Sequence, residues 1–189
     1  MTMFTFDGLA LIAVTARQLC PRPLWEQIPR IREAGITQLI LREKDLSAGE
    51  YTVLAERVLR ACEENGVRLT IHSFPEAARA LGVTALHMPL ALLTEDLCRE
   101  FASVGTSVHS SEQLQQAEAL HADYVMAGHI FVTDCKKGLP PCGLDFLSDL
   151  CKRASVPVYA IGGICTENLP QIAQAGAVGA CIMSAAMKL

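Results

Sequence analysis

Short apolar segments alternate with longer amphipathic segments along the whole chain. The apolar segments are rich in Val, Ile and Leu at both even and odd positions, which is typical of strands buried on both faces. The segments between them repeat their apolar residues at helical spacing. The predicted strands are residues 9–14, 37–41, 67–71, 84–87, 106–109, 123–127, 156–161 and 178–183. The predicted helices lie between residues 23 and 35, between 47 and 65, and over 75–81, 94–102, 110–120, 144–154 and 166–175.

Strands that alternate with helices form parallel βαβ units, so the chain belongs to the α/β class. Eight strands with seven helices between them favour a closed (β/α)8 TIM barrel over an open sheet, and residues 1–189 are predicted to be a single domain. Only residues 184–189 follow the last strand, whereas a full helix needs roughly 10 residues. The eighth helix is therefore expected to be shortened or missing. A partner subunit or a shifted terminal segment would cover the open groove, which makes a homo-oligomer possible.

Composition and charge narrow the class of protein. Apolar residues make up 51% of the chain and charged residues 19%, which excludes a disordered chain. The net charge of −4 and the lack of a long Lys/Arg cluster argue against nucleic-acid or membrane-surface partners. No apolar run reaches the ~18 residues of a membrane span, and the first ten residues do not resemble a signal peptide. The eight scattered cysteines form no Cys-x-x-Cys pair, so we expect a cytoplasmic protein with reduced thiols and no zinc.

In a barrel of this kind the functional side chains follow the carboxyl ends of the strands. Four of the five histidines stand at predicted strand ends: His72, His87, His109 and His129. They lie on different strands, and no Asp or Glu joins them in a familiar ligand pattern, so acid–base work is a better interpretation than a metal cluster. For each histidine taken alone, a structural role in packing is the simpler alternative.

Three strand ends carry residues that are suited to binding anions. Gly162-Gly163 follows the seventh strand and Met183-Ser184 the eighth, where barrels frequently hold a phosphate through backbone N–H groups. The alternative for the glycine pair is a tight turn. Arg42 and Lys44 follow the second strand as alternate residues, and they form either a second anion site or a solvated charge run.

At this point the motifs match a known family. The chain resembles the thiamine phosphate synthase/TenI superfamily, and more closely its TenI-like thiazole tautomerase branch. The markers are Leu-Arg-Glu-Lys-Asp at 41–45, Ser-Val-His-Ser at 107–110, Ala-Ile-Gly-Gly-Ile at 160–164 and, most discriminating, Gly-His-Ile-Phe-Val-Thr-Asp-Cys-Lys-Lys-Gly at 128–138. The resemblance runs nearly end to end and implies the barrel fold.

The synthase branch joins an aminopyrimidine pyrophosphate to a thiazole phosphate with the help of Mg²⁺, and this chain departs from its pattern at four places. Ile40 stands where that branch has Gln, and His72-Ser73 stands where it has Asn-Asp. Residues 87–90 lack the Asp that follows closely in the synthases, and Cys135 replaces the second Thr of the loop after the sixth strand. Mg²⁺ takes oxygen ligands, which these replacements remove.

The resemblance to the tautomerase branch implies a metal-independent isomerase without cofactor. Its substrate is a small thiazole phosphate, whose ylidene carboxythiazole isomer becomes the aromatic one. His109 is the implied catalytic acid and base. Arg42, Lys44 or Lys136 would hold the carboxylate, Gly163, Met183 and Ser184 would hold the phosphate, and Thr133 is a further substrate-binding residue. Two alternatives remain: a Mg²⁺-dependent thiamine phosphate synthase, and a non-catalytic regulatory homologue that binds a phosphate ligand.

Overall fold

The computed structural model describes residues 8–133, 136 and 138–189. Eight parallel strands follow one another in chain order around a closed barrel, with helices between them, so the predicted (β/α)8 fold is confirmed. The strands are β1 Ala10–Val14, β2 Gln38–Leu41, β3 Arg68–His72, β4 Ala85–Pro89, β5 Ser103–Val108, β6 Tyr124–Gly128, β7 Val158–Ile161 and β8 Gly179–Ile182. The α-helices are α1 Leu24–Glu33, α2 Ala48–Glu64, α3 Pro75–Leu81, α4 Glu95–Glu100, α5 Ser111–Ala119, α6 Gly143–Arg153, α7 Leu169–Gln174 and α8 Ser184–Met187.

The described residues form two compact units, which we name by their residues. The first unit contains residues 11–87 and 182–189, and the second contains residues 8–10 and 88–181. None of the described helices is long and apolar enough to cross a bilayer.

In the first unit, hydrogen bonds cap the start of α2 and also join this helix to the ends of two strands. A capping box starts α2, because the Ser47 hydroxyl accepts a bond from the Glu50 amide and the Glu50 carboxylate accepts one from the Ser47 amide. One turn into the helix, the fully buried Tyr51 donates its hydroxyl proton to the Leu41 carbonyl at 2.5 Å and accepts a bond from the His72 amide at 3.2 Å. Tyr51 therefore fixes the ends of β2 and β3 against the helix.

The eighth helix is as short as predicted, with the four residues of α8. Ala186 and Met187 are nevertheless fully buried. The side-chain amide of the buried Gln27 donates to the Ala186 carbonyl at 2.8 Å, and the Arg22 guanidinium donates to the Leu189 carbonyl at 2.7 Å. These bonds satisfy main-chain carbonyls that a longer helix would satisfy within itself.

In the second unit, β5 starts three residues before the predicted strand, at Ser103. Gly105, in the part of the strand that was not predicted, leaves room for the ring of Tyr124 on β6, where a Cβ atom would lie 2.0 Å from the ring. The predicted seventh helix divides into a 3-10 turn at Thr166–Asn168 and α7, since a proline stands near the start of α7.

Candidate functional site

In the first unit, Arg17 binds both carboxylates that follow β2. Its guanidinium donates to Glu43 at 2.9 Å and to both oxygens of Asp45 at 2.6 and 2.5 Å, while its backbone amide also donates to Glu43 at 2.9 Å. This contact lowers the pKa of the Asp45 carboxyl to about 2 and raises the pKa of Arg17 further above its ordinary value. Both carboxylates are therefore paired with the Arg17 guanidinium.

The two cations of the same segment alternate with these carboxylates. Arg42 is half-buried and its backbone amide donates to the hydroxyl of the buried Thr15 at 2.8 Å, whereas Lys44 is exposed. The charges of both side chains act on the histidines of β3 and β4, because each lowers the pKa of His72 and His87. The structure thus brings Arg42 and Lys44 to one place, as the sequence predicted.

His72 and His87 are neutral and stacked. Their ring centroids lie 5.4 Å apart with an angle of 26° between the rings, and the two residues are 7% and 1% exposed. Burial first, and the nearby positive charges next, lower the pKa of each imidazole to about 3. Nδ1 of His72 shares a hydrogen bond of 2.6 Å with the Ser73 hydroxyl. Both rings are therefore uncharged at neutral pH.

In the second unit, His109 directly follows β5 and is held from two sides. Its backbone amide donates to the side-chain oxygen of Gln113 at 2.6 Å, and its Nδ1–H donates to the Gly128 carbonyl at the end of β6. With Nδ1 as the donor, the neutral ring keeps a lone pair on Nε2 that can accept a hydrogen bond. The sequence placed this histidine at a strand end, and the structure agrees.

The glycine pair after β7 packs under the loop that follows β6. Gly162 and Gly163 have φ values of 100° and 66°. A Cβ atom on Gly162 would lie 2.3 Å from Cβ of His129, and one on Gly163 would lie 2.5 Å from the Val132 carbonyl oxygen. Both positions require glycine, because neither the backbone conformation nor the close approach tolerates a side chain.

The remaining predicted site residues are placed as follows. Thr133 is half-buried and its carbonyl accepts a bond from the amide of the exposed Lys136 at 3.1 Å, both in the second unit. Met183 and Ser184 are half-buried in the first unit, where Ser184 begins α8. Cys135, one of the departures from the synthase pattern, lies outside the described residues.

Sequence reasoning missed Arg17. Its role as the partner of both Glu43 and Asp45 was not predicted. The usable signal was its position, since the ends of β1 and β2 are neighbours and opposite charges stand at both.

The residues at the ends of β2, β3 and β4 do not fit a Mg²⁺ site. Mg²⁺ takes oxygen ligands in octahedral geometry, but Glu43 and Asp45 are bound by Arg17, and β3 and β4 present imidazoles. Within residues 8–133, 136 and 138–189, no three His, Cys, Asp or Glu side chains form a group that could hold a metal ion.

Comparison with known proteins identifies the class. The chain matches the family model TMP-TENI, described as thiamine monophosphate synthase, over residues 11–186. The thiamine-phosphate synthase of Syntrophomonas wolfei is 34% identical over 94% of this chain and 88% of its own length, and that of Pyrococcus abyssi is 30% identical over 96% and 88%. The solved structure of thiamine phosphate pyrophosphorylase from Pyrococcus furiosus superposes with a TM-score of 0.82 at 25% identity, covering 96% of this chain and 88% of that one.

These matches define an enzyme class, the barrel enzymes of thiamine biosynthesis. The chain belongs to the thiamine monophosphate synthase family.

The prediction of a thiazole tautomerase is wrong. Seven curated relatives at 29–36% identity are named thiamine-phosphate synthase, and the family match does not single out the TenI-like branch. The predicted isomerase class is therefore also wrong, whereas the prediction of an enzyme of thiamine biosynthesis is confirmed. The error came from giving the replaced ligand positions more weight than the similarity of the whole chain.

Proposed function

We propose that this protein is a transferase of the thiamine-phosphate synthase class, which joins an aminopyrimidine pyrophosphate to a thiazole phosphate. The observation that carries the proposal is the end-to-end similarity to proteins of that name, 34% identity over 94% of the chain in the Syntrophomonas wolfei case. The match includes every strand and helix that carries a candidate residue.

In such a transfer, the thiazole nitrogen forms a bond to the methylene carbon of the pyrimidine. The bond from that carbon to the pyrophosphate oxygen breaks, and its electron pair leaves with the pyrophosphate. Negative charge thus grows on the leaving group in the transition state, and fixed positive groups beside it lower the barrier. Arg42 and Lys44 are the side chains that we assign to this role.

The other predicted site residues receive binding roles in this proposal. Phosphate-binding roles are assigned to the backbone N–H group of Gly163 in the second unit and, in the first unit, to the backbone N–H group of Met183 and the hydroxyl of Ser184. Thr133 and Lys136 would also contact the substrate. His109 would accept a hydrogen bond at Nε2, for instance from the amino group of the aminopyrimidine, because Nδ1 is already the donor to Gly128.

The test incubates the purified protein with the aminopyrimidine pyrophosphate, the thiazole phosphate and Mg²⁺. Oxidation of the product to a fluorescent thiochrome then measures thiamine phosphate. We expect steady product formation that falls about tenfold to hundredfold in Arg42→Gln, since a charge-assisted hydrogen bond contributes about 1.5–3 kcal/mol. The matched control is Arg99→Gln, because the Arg99 side chain is 66% exposed and pairs with Glu95 and Asp96 of its own helix.

The absence of thiamine phosphate at every Mg²⁺ concentration would refute the proposal. If the protein still bound the thiazole phosphate, that result would support the regulatory homologue.

A further inference from the structure

An open groove of about 370 Å³ lies between α1 and α2 of the first unit. It is lined by Trp25 of α1 and by Arg57, Arg60, Ala61 and Glu64 of α2. The four α2 residues follow the spacing i, i+3, i+4, i+7, so they form one stripe along the helix. Trp25 is the single tryptophan of the chain and is half-buried, whereas the three charged residues are exposed. Small-molecule sites enclose most of their ligand, so this open groove is better suited to a protein surface.

The groove presents two charged groups of opposite sign. The Cζ atom of Arg57 lies 5.1 Å from the centroid of the Trp25 ring, an arrangement that leaves the N–H groups at the guanidinium edge able to bind a carboxylate. Arg60 differs, because it is bound to Glu56 of its own helix at 2.5 Å. In the part of the chain that the structure describes, neither Arg57 nor Glu64 takes part in an ion pair. A partner surface would therefore need one acidic and one basic group to match this stripe.

The stripe itself has this property, because its two charged groups are arranged to complement a second copy of α2. Residues seven positions apart in an α-helix lie about 10.5 Å apart along its axis and on nearly the same side. If a second α2 lies antiparallel across a two-fold axis between residues 60 and 61, position 57 of each helix faces position 64 of the other. Each Arg57 then meets the Glu64 of the other copy. Arg60 lies nearest the axis, and its charge is already balanced by Glu56.

We propose that this groove is an interface between two copies of the chain, with their α2 helices antiparallel about a two-fold axis and two Arg57–Glu64 ion pairs across it. The same surface serves both copies, so the contact closes at a dimer. Exposed ion pairs contribute little affinity and chiefly fix the register. Most of the affinity comes from removing apolar surface from water, namely the half-buried Trp25 and Val53, which lies one turn before Arg57 and is 58% exposed.

The test is sedimentation velocity of the full chain between about 1 and 200 μM, the range in which a weak dimer dissociates. We expect the average mass to rise toward twice that of the monomer. The fluorescence emission of Trp25 should shift to shorter wavelength over the same range, because the only indole of the chain is withdrawn from water.

Charge reversal tests the register. Arg57→Glu and Glu64→Arg each place like charges opposite one another at both contacts, and each should raise the dissociation constant about tenfold or more. An equimolar mixture of the two variants should associate like the wild type, because the mixed dimer again has opposite charges at both contacts. The matched control is Arg99→Glu, which makes the same change in net charge on α4 of the second unit and should leave association unchanged.

A chain that stays monomeric up to about 200 μM would overturn the proposal. Association that neither charge reversal weakens would also overturn it, and so would a mixture that fails to recover association although circular dichroism shows both variants folded. A monomer whose Trp25 emission shifts on addition of a poly-glutamate peptide would assign the groove to an acidic partner instead of a second copy.

Discussion

The hydroxyl of Tyr51 offers a sharp test of how the site is held in place. It is fully buried, donates to the Leu41 carbonyl and accepts from the His72 amide, and burial raises its pKa. Tyr51→Phe removes both bonds but keeps the ring, which stacks on Phe74 with centroids 4.1 Å apart. The substitution therefore isolates the two hydrogen bonds from the packing of the ring.

The magnitude follows from the groups left behind. A buried polar group that loses its partner costs about 1–3 kcal/mol, and two such groups are affected. The second lone pair of the carbonyl and small local shifts recover part of this, so we expect a loss of about 2 kcal/mol in the free energy of unfolding. For a chain of this size, that loss lowers Tm by roughly 4–8 °C.

Urea unfolding followed by circular dichroism measures the change directly. Thr52→Ala is the control on the neighbouring residue, since its hydroxyl donates to the Ala48 carbonyl within the same helix, and we expect a change within about 0.5 kcal/mol. A Tyr51→Phe variant as stable as the wild type would show that the hydroxyl does not hold the strand ends.

Three further predictions concern stability. Gly163→Ala should lower the free energy of unfolding in urea by about 1–3 kcal/mol more than Gly82→Ala does. Both glycines have φ near +66°, but only a Cβ atom at position 163 would lie against a main-chain oxygen. Equal losses in the two variants would contradict this. The pKa of Asp45 in the folded protein is lowered to about 2, so the stability that its ion pair contributes is present above the ordinary pKa near 4 and is lost as the pH falls toward 2. The wild type should therefore lose more stability between pH 5 and 2 than Asp45→Asn does. Parallel pH profiles of the two proteins would refute the ion pair. Gln27→Met should lower the free energy of unfolding by about 1–3 kcal/mol, because the buried Ala186 carbonyl loses its donor, and unchanged thermal unfolding would argue against that bond.

Much of the fold was predictable because the hydrophobic period changes at nearly every element. The prediction of a short eighth helix was also correct, since it depends on how few residues follow the last strand. The start of β5 was missed because the space left by Gly105 for a tyrosine ring is a tertiary feature that no local pattern encodes.

The candidate site was predictable only in part. Strand ends located Arg42, Lys44 and His109, because the topology of a parallel barrel fixes where side chains of this kind appear. The pairing of Arg17 with residues 26 and 28 positions away could not be derived from spacing alone. The predicted class of reaction was wrong. Replacements at a few ligand positions suggested a different chemistry, although the rest of the chain remains similar to the synthases.

Arg17 has a consequence for how such an enzyme could diverge. A single substitution at this position would release two acidic groups beside two basic ones, at a strand end that otherwise keeps its geometry. The local charge at the end of β2 would then become more negative although Arg42 and Lys44 are unchanged. One codon at the end of β1 thus controls how much negative charge the end of β2 presents.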